Sequence, residues 1–388
     1  MPWKSSTPVD LRIEFMNRVL RGERVTDLCR EYGISRKTGD KFKQRFMRFG
    51  LSGLEDQSRA AKVIPHRTPP ELVEIILAER KRHPSWGPKK LKAILEHRLG
   101  HALPAASTVG DILKRNGLVE PSRQRPRHRA QPTALREAGG PNDIWAIDYK
   151  GQLRLGDRSL CYPLTLTDHF SRYILGCEGM GAISDEAARE VCAEVFQLNG
   201  LPLAMRSDNG VPFASTGLAG LTKLSVYWLR LGIRCERIRP SHPEENGRHE
   251  RMHRTLKFET ARPPRTNLLQ QQERFDEFVQ EFNHERPHEA LGMKRPAEVY
   301  SKSDRPCPET LPELTYPAHD DVLRVNRDGM IYFRRKQRYF AAAFAGEHIG
   351  LLEQLDGRWL VTFIDTDLGF IETDGRFIPM TATLPKAA

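Results

Sequence analysis

The chain has 388 residues, 61 Lys and Arg against 50 Asp and Glu, and a formal net charge of +11, a length that exceeds one ordinary core and implies about two to four domains. Residues 1–140 hold 29 basic and 15 acidic side chains while the remainder hold 32 and 35, so the whole basic excess is N-terminal, as expected for an electrostatic footprint on a polyanion such as nucleic acid or for a well-solvated surface. Six scattered cysteines without a C-x-x-C pair argue against a zinc knuckle and for reduced thiols, and no window approaches the roughly 18 apolar residues of a membrane span, so a cytoplasmic protein without a membrane partner is expected.

Leu11, Phe15, Met16, Val19 and Leu20 recur at helical spacing, and Val25, Leu28, Cys29 and Tyr32 mark a second short helix. Gly33 and Ile34 make a tight turn, Ser35 is placed to cap a third helix, and that helix is expected to bury Phe42, Phe46 and Phe49. It presents Arg36, Lys37, Lys41 and Lys43. The pattern reads as a helix-turn-helix over 1–58, whose last helix would lie in a DNA major groove, or as a purely structural three-helix bundle.

A second helical domain is predicted over 66–118. Leu72, Ile75 and Ile76 form one helix, Leu91, Ile94 and Leu95 follow Trp86-Gly87-Pro88, and Ser107 is expected to cap a helix with Val109, Ile112 and Leu113. Residues 119–140 carry five Arg with Pro and Gly and no apolar period. This is a basic linker, lying along a DNA backbone or serving as a solvated tether.

From Asn142 the runs become strand-like: IWAIDYKG, SLCYPLTLTD and RYILGCEGM precede a helix from Ser184 to Leu198. PLAMRSDNG reads as a further strand, Leu218–Leu231 as a helix, IRCERI as a fifth strand and Glu245–Glu259 as a long helix. Three strands before the first helix, then alternation, predict a mixed sheet flanked by helices. An amphipathic helix with Phe275, Phe278, Val279 and Phe282 closes this α/β domain over 141–302. Residues 316–388 alternate apolar and polar around Asp-Gly turns and predict a small β-barrel, binding DNA through Arg334, Arg335 and Lys336 or mediating assembly.

Three carboxylates stand where such a sheet converges: Asp148 inside the first strand, Asp208 at the end of a later one and Glu250 on the helix beyond. Hard oxygen ligands suit Mg²⁺ or Mn²⁺, and a pair of such ions roughly 3.5–4 Å apart clamps a phosphate for in-line displacement. An acid within the apolar run WAIDY is costly unless a metal or partner compensates it. Asp168 is a rival for the second position, though a hydrogen-bonded structural role near Ser171 and Arg172 is the favoured reading; Glu244 and Glu245 are rivals for the third. His249-Glu250-Arg251-Met252-His253 also spells H-E-x-x-H, the signature of a zinc peptidase.

With Asp208-Asn209-Gly210 followed by PEENGRHERMHRTLK, the chain resembles the catalytic core of retroviral integrases and bacterial insertion-sequence transposases, the DDE family. Asp148, the D-N-G and Gly247-Arg248-His249-Glu250 match that family's pattern; TDHFSR, NHERPHEAL and the β tail look like its insertion-sequence branch. The 41 residues between Asp208 and Glu250 exceed the family's habitual spacing, with the surplus inside Ala214–Arg230.

The resemblance implies a ribonuclease-H-like core with a mixed five-stranded sheet between the N-terminal helix-turn-helix region and the C-terminal barrel. It implies a transposase using two Mg²⁺ or Mn²⁺ ions on Asp148, Asp208 and Glu250, with Asn209, Arg254 and Lys257 as DNA contacts. Its partners would be double-stranded DNA, both terminal inverted repeats and target, and further copies of itself on synapsed ends, in a bacterial nucleoid-associated setting. A catalytically silent DNA-binding regulator is the alternative.

Overall fold

A computed structural model describes residues 7–57, 68–119, 135–239 and 242–380. The chain divides into two compact units, 1–68 and 69–388.

The first unit holds α1 (Pro8–Leu20), α2 (Val25–Glu31) and α3 (Arg36–Phe49). Thr7 caps α1 through the Asp10 amide, and the Asp10 carboxylate accepts from the Thr7 amide in return. Ser35 caps α3 at the Thr38 amide as expected. Phe15, Met16, Leu28, Cys29 and Leu54 form the core. Helices α2 and α3 meet at Gly39, where an added Cβ would lie 2.5 Å from Cys29 Sγ; glycine costs helix stability there but permits the close approach. Phe42 and Phe46 are half-buried, whereas Phe49, expected inside, is 52% exposed at the end of α3. Arg36, Lys37 and Lys41 are exposed and Lys43 half-exposed on α3.

The second unit opens with α4 (Pro70–Arg82), α5 (Pro88–Leu99) and α6 (Ala106–Arg115), packed around Ile76, Trp86, Leu91, Leu95, Val109 and Leu113. Ser107 lies within the first turn of α6 and Ala105 occupies the cap position, so the expected cap is displaced. These helices dock on the α/β domain. His83 Nδ1 lies 2.9 Å from Glu281, Arg82 pairs with Glu285 at 3.3 Å, Lys89 pairs with Glu289, and Arg286 stacks over Trp86. Most of the predicted basic linker, 120–134, lies outside the described residues, but its end is tied to the domain: the Arg136 carbonyl accepts from Arg206 at 2.7 Å.

The α/β domain contains β1 (Ile144–Tyr149), β2 (Leu153–Arg154), β3 (Leu160–Asp168), β4 (Ile174–Met180), α7 (Asp185–Asn199), β5 (Ala204–Ser207), α8 (Lys223–Arg230), β6 (Arg234–Arg237), α9 (Gly247–Thr260) and α10 (Leu268–Gln280). The five main strands run β4-β3-β1-β5-β6, with β2 paired to the start of β3; β1, β5 and β6 are parallel and β3 and β4 antiparallel. The mixed sheet expected from strand count is therefore present. Period-two alternation sends Trp145, Ile147, Leu164 and Leu166 into one core with α7 and α8. The opposite face packs Cys161, Ile174 and Cys177 against Met252, Leu256, Phe275 and Phe278 of α9 and α10.

After α10 a π-turn spans Glu281–Glu285 and carries Asn283 inward, where its amide donates to the Ile174 carbonyl and accepts from the Ile174 amide, both at 2.9 Å. Asn283→Ala is expected to lower stability by about 2–4 kcal/mol, because it strips two buried backbone groups of their partners. Urea unfolding checks this, and a midpoint equal to that of the unmutated chain would refute the latch.

The predicted helix Leu218–Leu231 is shorter than expected. Residues Leu218–Gly220 form a 3-10 turn, Thr222 begins the α8 capping box, and Leu221 and Val226 join the core of the C-terminal module. That module comprises β7 (Asp321–Arg324), β8 (Met330–Phe333), β9 (Lys336–Tyr339), β10 (His348–Glu353), β11 (Trp359–Phe363), β12 (Thr366–Ile371) and β13 (Phe377–Pro379). Its ladder β13-β12-β11-β10-β7 stays open, and β8 and β9 pair only with each other among the described residues. The expected closed barrel is thus an open sheet with a separate hairpin. Its apolar residues are covered partly by Leu221 and Val226 rather than wholly by its own strands, which removes the need for closure.

Candidate active site

Because Trp145 and Ile147 face α7, alternation turns Asp148 to the α9 side of the sheet. The pairing Ala146↔Arg206 in the parallel β1/β5 ladder, continued two residues, sets Asp148 level with Asp208 just beyond β5. Both aspartates lie toward the carboxyl ends of neighbouring parallel strands, where open α/β sheets bind ligands. Asp208 accepts from the Gly210 amide at 3.0 Å, and a Cβ on Gly210 would sit 3.0 Å from the same carboxylate. The D-N-G turn therefore holds the acid at short range, where a side chain at position 210 would press on its carboxylate. Asn209 donates to the Ile238 carbonyl at 2.6 Å, so the structure gives the amide predicted to meet DNA a turn-closing bond.

Glu250 is exposed on α9. It lines, with Asp148, Lys150, Arg254, Lys257 and Arg262, a cleft of about 560 Å³. Arg254 and Lys257 are exposed one and two turns beyond Glu250, as helical phase predicts. Asp208 does not line this cleft, but its charge reaches Asp148. Burial first, then Asp208, and to a smaller extent Glu250, push the Asp148 carboxyl up to about 7. None of the three carboxylates forms an ion pair with Lys or Arg among the described residues. Carboxylate oxygens without a Lys or Arg partner are donors of the kind that hard divalent cations such as Mg²⁺ or Mn²⁺ take, although the three do not form a close group among the described residues.

The two imidazoles of H-E-x-x-H turn inward. His249 meets Thr167 through Nδ1 and Thr165 through Nε2, both at 2.8 Å, and His253 Nε2 meets the Thr165 hydroxyl at 2.7 Å. His253 Nδ1 then lies 3.7 Å from Asp148. One donor atom from each of Asp148, His249 and His253 falls within a 4.8 Å group, a potential metal cluster by distance alone. Both ring nitrogens of His249 are already engaged by threonine hydroxyls, however, while burial keeps both imidazoles neutral, driving His249 down to about 3 and His253 well below its ordinary range. The arrangement favours a neutral support beneath Asp148 over a zinc peptidase centre.

Sequence reasoning missed Lys150, Arg262 and the Thr165/Thr167 pair; the period-two spacing of the threonines in TLTD was the available signal. The remaining rivals have other partners. Asp168 accepts from the Asn142 amide and from the Ser171 amide and hydroxyl, confirming the structural reading, and Glu245 is buried against the Arg239 amide and guanidinium. The side chain of Glu244 lies outside the described residues. A larger cavity of about 810 Å³ between residues 216–220 and the C-terminal module has no acid, imidazole or thiol in its wall, so its size does not make it the better candidate.

A family model described as an integrase core domain matches residues 231–296, a homeodomain-like domain matches 38–113 and a helix-turn-helix domain matches 11–62. The chain is 26% identical over 227 residues to an uncharacterized 31.7 kDa protein of insertion element IS407 from Burkholderia multivorans, covering 58% of this chain and 77% of that one. It is 28% identical over 172 residues to the Gag-Pol polyprotein of baboon endogenous virus, covering 44% of this chain but only 9% of the polyprotein. Among solved structures, the HTLV-2 integrase catalytic core domain in complex with magnesium aligns at 15% identity and a TM-score of 0.34, covering 42% of this chain and all of that one. No helix among the described residues is long and apolar enough to cross a membrane.

Proposed function

We propose, from the chain's membership of the insertion-sequence transposases with an integrase-type core, that Asp148, Asp208 and Glu250 form a phosphoryl-transfer centre acting on DNA. The observation that supports the reading is the level placement of Asp148 and Asp208 at the carboxyl ends of adjacent parallel strands, with Glu250 lining the same cleft as Asp148. Asp148 and Asp208 would hold two Mg²⁺ or Mn²⁺ ions between them and Glu250 would complete the donor set. The chemistry such ions supply when bound is activation of the attacking oxygen and stabilisation of the leaving one.

The chain's own residues do the rest. His253 and Thr165 support the Asp148 side of the cleft, while Arg254 and Lys257 orient the scissile phosphate from α9. Water would first attack a phosphodiester at a terminal inverted repeat, breaking its bond to the 3′ oxygen and freeing a 3′-OH, and that hydroxyl would then attack a target phosphodiester and displace the target strand's 3′ oxygen as the leaving group. The exposed basic residues of α3, Arg36, Lys37 and Lys41 with Lys43 beside them, would anchor the end sequence. Joining two ends requires their synapsis, hence a homo-oligomer on DNA.

Incubation with duplexes carrying candidate end sequences is expected to give nicked products with new 3′-OH termini in Mg²⁺ or Mn²⁺ and none in chelator. Tight binding without nicking in either metal would replace this reading with that of a silent regulator.

A further inference from the structure

Helix α9 is a ridge with two flanks. Its buried line is His249, Met252, His253, Leu256 and Thr260; at about 100° per residue, Glu250, Arg254 and Lys257 fall to one side and Arg248, Arg251, Thr255 and Glu259 to the other. The first flank borders the candidate metal cleft. The second faces the seam where α4 and α5 dock, for Glu259 there receives Ser85 and, at 2.8 Å, Arg286.

This second flank collects cations that form no close ion pair among the described residues, with Glu137 and Asp168 acting on Arg248 and Arg172 only at longer range. Arg248 and Arg172 donate to the same carbonyl, that of His169, at 3.2 and 3.0 Å. Arg172 is held there with a left-handed backbone, φ 68°, a conformation costly for a residue with a Cβ. Arg251 lies within electrostatic reach of both Arg172 and Lys90. Lys90 is part-buried in the first turn of α5, and its ammonium makes no hydrogen bond or ion pair among the described residues. Burial, and next Arg286, draw its ammonium down to about 8. Of the acids nearby, Glu259 is committed to Arg286 and Ser85, Glu289 to Lys89 and Asp168 to Asn142 and Ser171. A part-buried cation beside other cations is unfavourable for the isolated fold and becomes favourable when an anion arrives.

We propose that this flank is a second phosphate-binding groove, in which Lys90, Arg172, Arg248 and Arg251 grip the backbone of a DNA strand crossing the ridge of α9 from the metal cleft into the seam with the second helical region. The proposal rests on the reading that the chain binds DNA, and not on its cleaving it.

The test is binding of the full chain to a labelled duplex of arbitrary sequence, followed by fluorescence anisotropy in chelator across a salt series. Lys90→Met and Arg251→Gln are each expected to weaken binding about fivefold or more and to flatten the salt dependence by roughly one phosphate contact. Lys89→Gln, which removes an exposed paired lysine, should change binding little. Thermal unfolding adds a readout that a structural lysine would move the other way: Lys90→Met should raise the midpoint of the DNA-free protein. Unchanged affinity and salt slope in both variants, or a lowered DNA-free midpoint in Lys90→Met, would overturn the groove. Because no metal is present, a chain unable to nick can still pass, and one that nicks can fail.

Discussion

Asp148→Asn is expected to lose metal-dependent nicking by about a thousandfold or more while making the metal-free protein harder to unfold at neutral pH. The carboxyl of Asp148 is pushed from an ordinary value of 3.8 to about 7 in the folded chain. Between those values the folded state keeps a proton that the unfolded state has lost, so stability falls as pH rises from about 4 to 7 and the full penalty persists above that. It amounts to a few kcal/mol for a side chain 20% exposed. An amide in place of the carboxylate removes the penalty. Metal binding removes it differently: the cation takes the deprotonated form, so Mg²⁺ should raise the thermal midpoint more on the alkaline side of neutrality than on the acid side. Melting curves with and without Mg²⁺ at both pH values check this. Should Asp148→Asn melt lower than the unmutated chain above neutral pH and still gain as much from Mg²⁺, Asp148 is a structural acid. Binding of DNA in chelator should survive the substitution.

Arg286→Ala is expected to cost about 3–5 kcal/mol and to loosen the second helical region from the α/β domain. The guanidinium is buried, bonds Glu259 at 2.8 Å and Ser85 at 3.4 Å, and stacks over Trp86. Its removal leaves Glu259 unpaired beside the seam. Hydrogen exchange should rise across α4 and α5 and stay constant in α1 to α3, which belong to the other compact unit. Lys89→Gln is the natural comparison, since its pair with Glu289 is exposed and such pairs contribute at most about 1 kcal/mol. Unaltered exchange in α4 and α5 would show that apolar packing alone seats these helices.

Much of this molecule was legible before folding because its signals are local. Alternation in WAIDY and TLTD, the Ser35 cap and the Asp-Gly turns near Gly357 and Gly375 depend on backbone period and turn chemistry, and each appears where it was expected. The helical phase of Glu250, Arg254 and Lys257 was equally readable. Ser107 and Phe49 were misread because a cap residue and an amphipathic face look alike from sequence when the helix start or the supporting partner is unknown.

What the sequence determined by itself was therefore the kind of elements, their order and the three carboxylates of interest. Which groups meet was decided only in three dimensions. Strand register alone levels Asp148 with Asp208, and the packing of α9 on β3 alone turns both imidazoles of H-E-x-x-H inward onto Thr165 and Thr167. The surplus between Asp208 and Glu250 likewise has no reading until Leu221 and Val226 are seen beneath the C-terminal sheet, leaving it open where a barrel was expected. The physical reason is the same in each case: periodicity fixes the direction of a side chain relative to its own element, whereas its partner is set by long-range burial and hydrogen bonding between elements far apart in the chain.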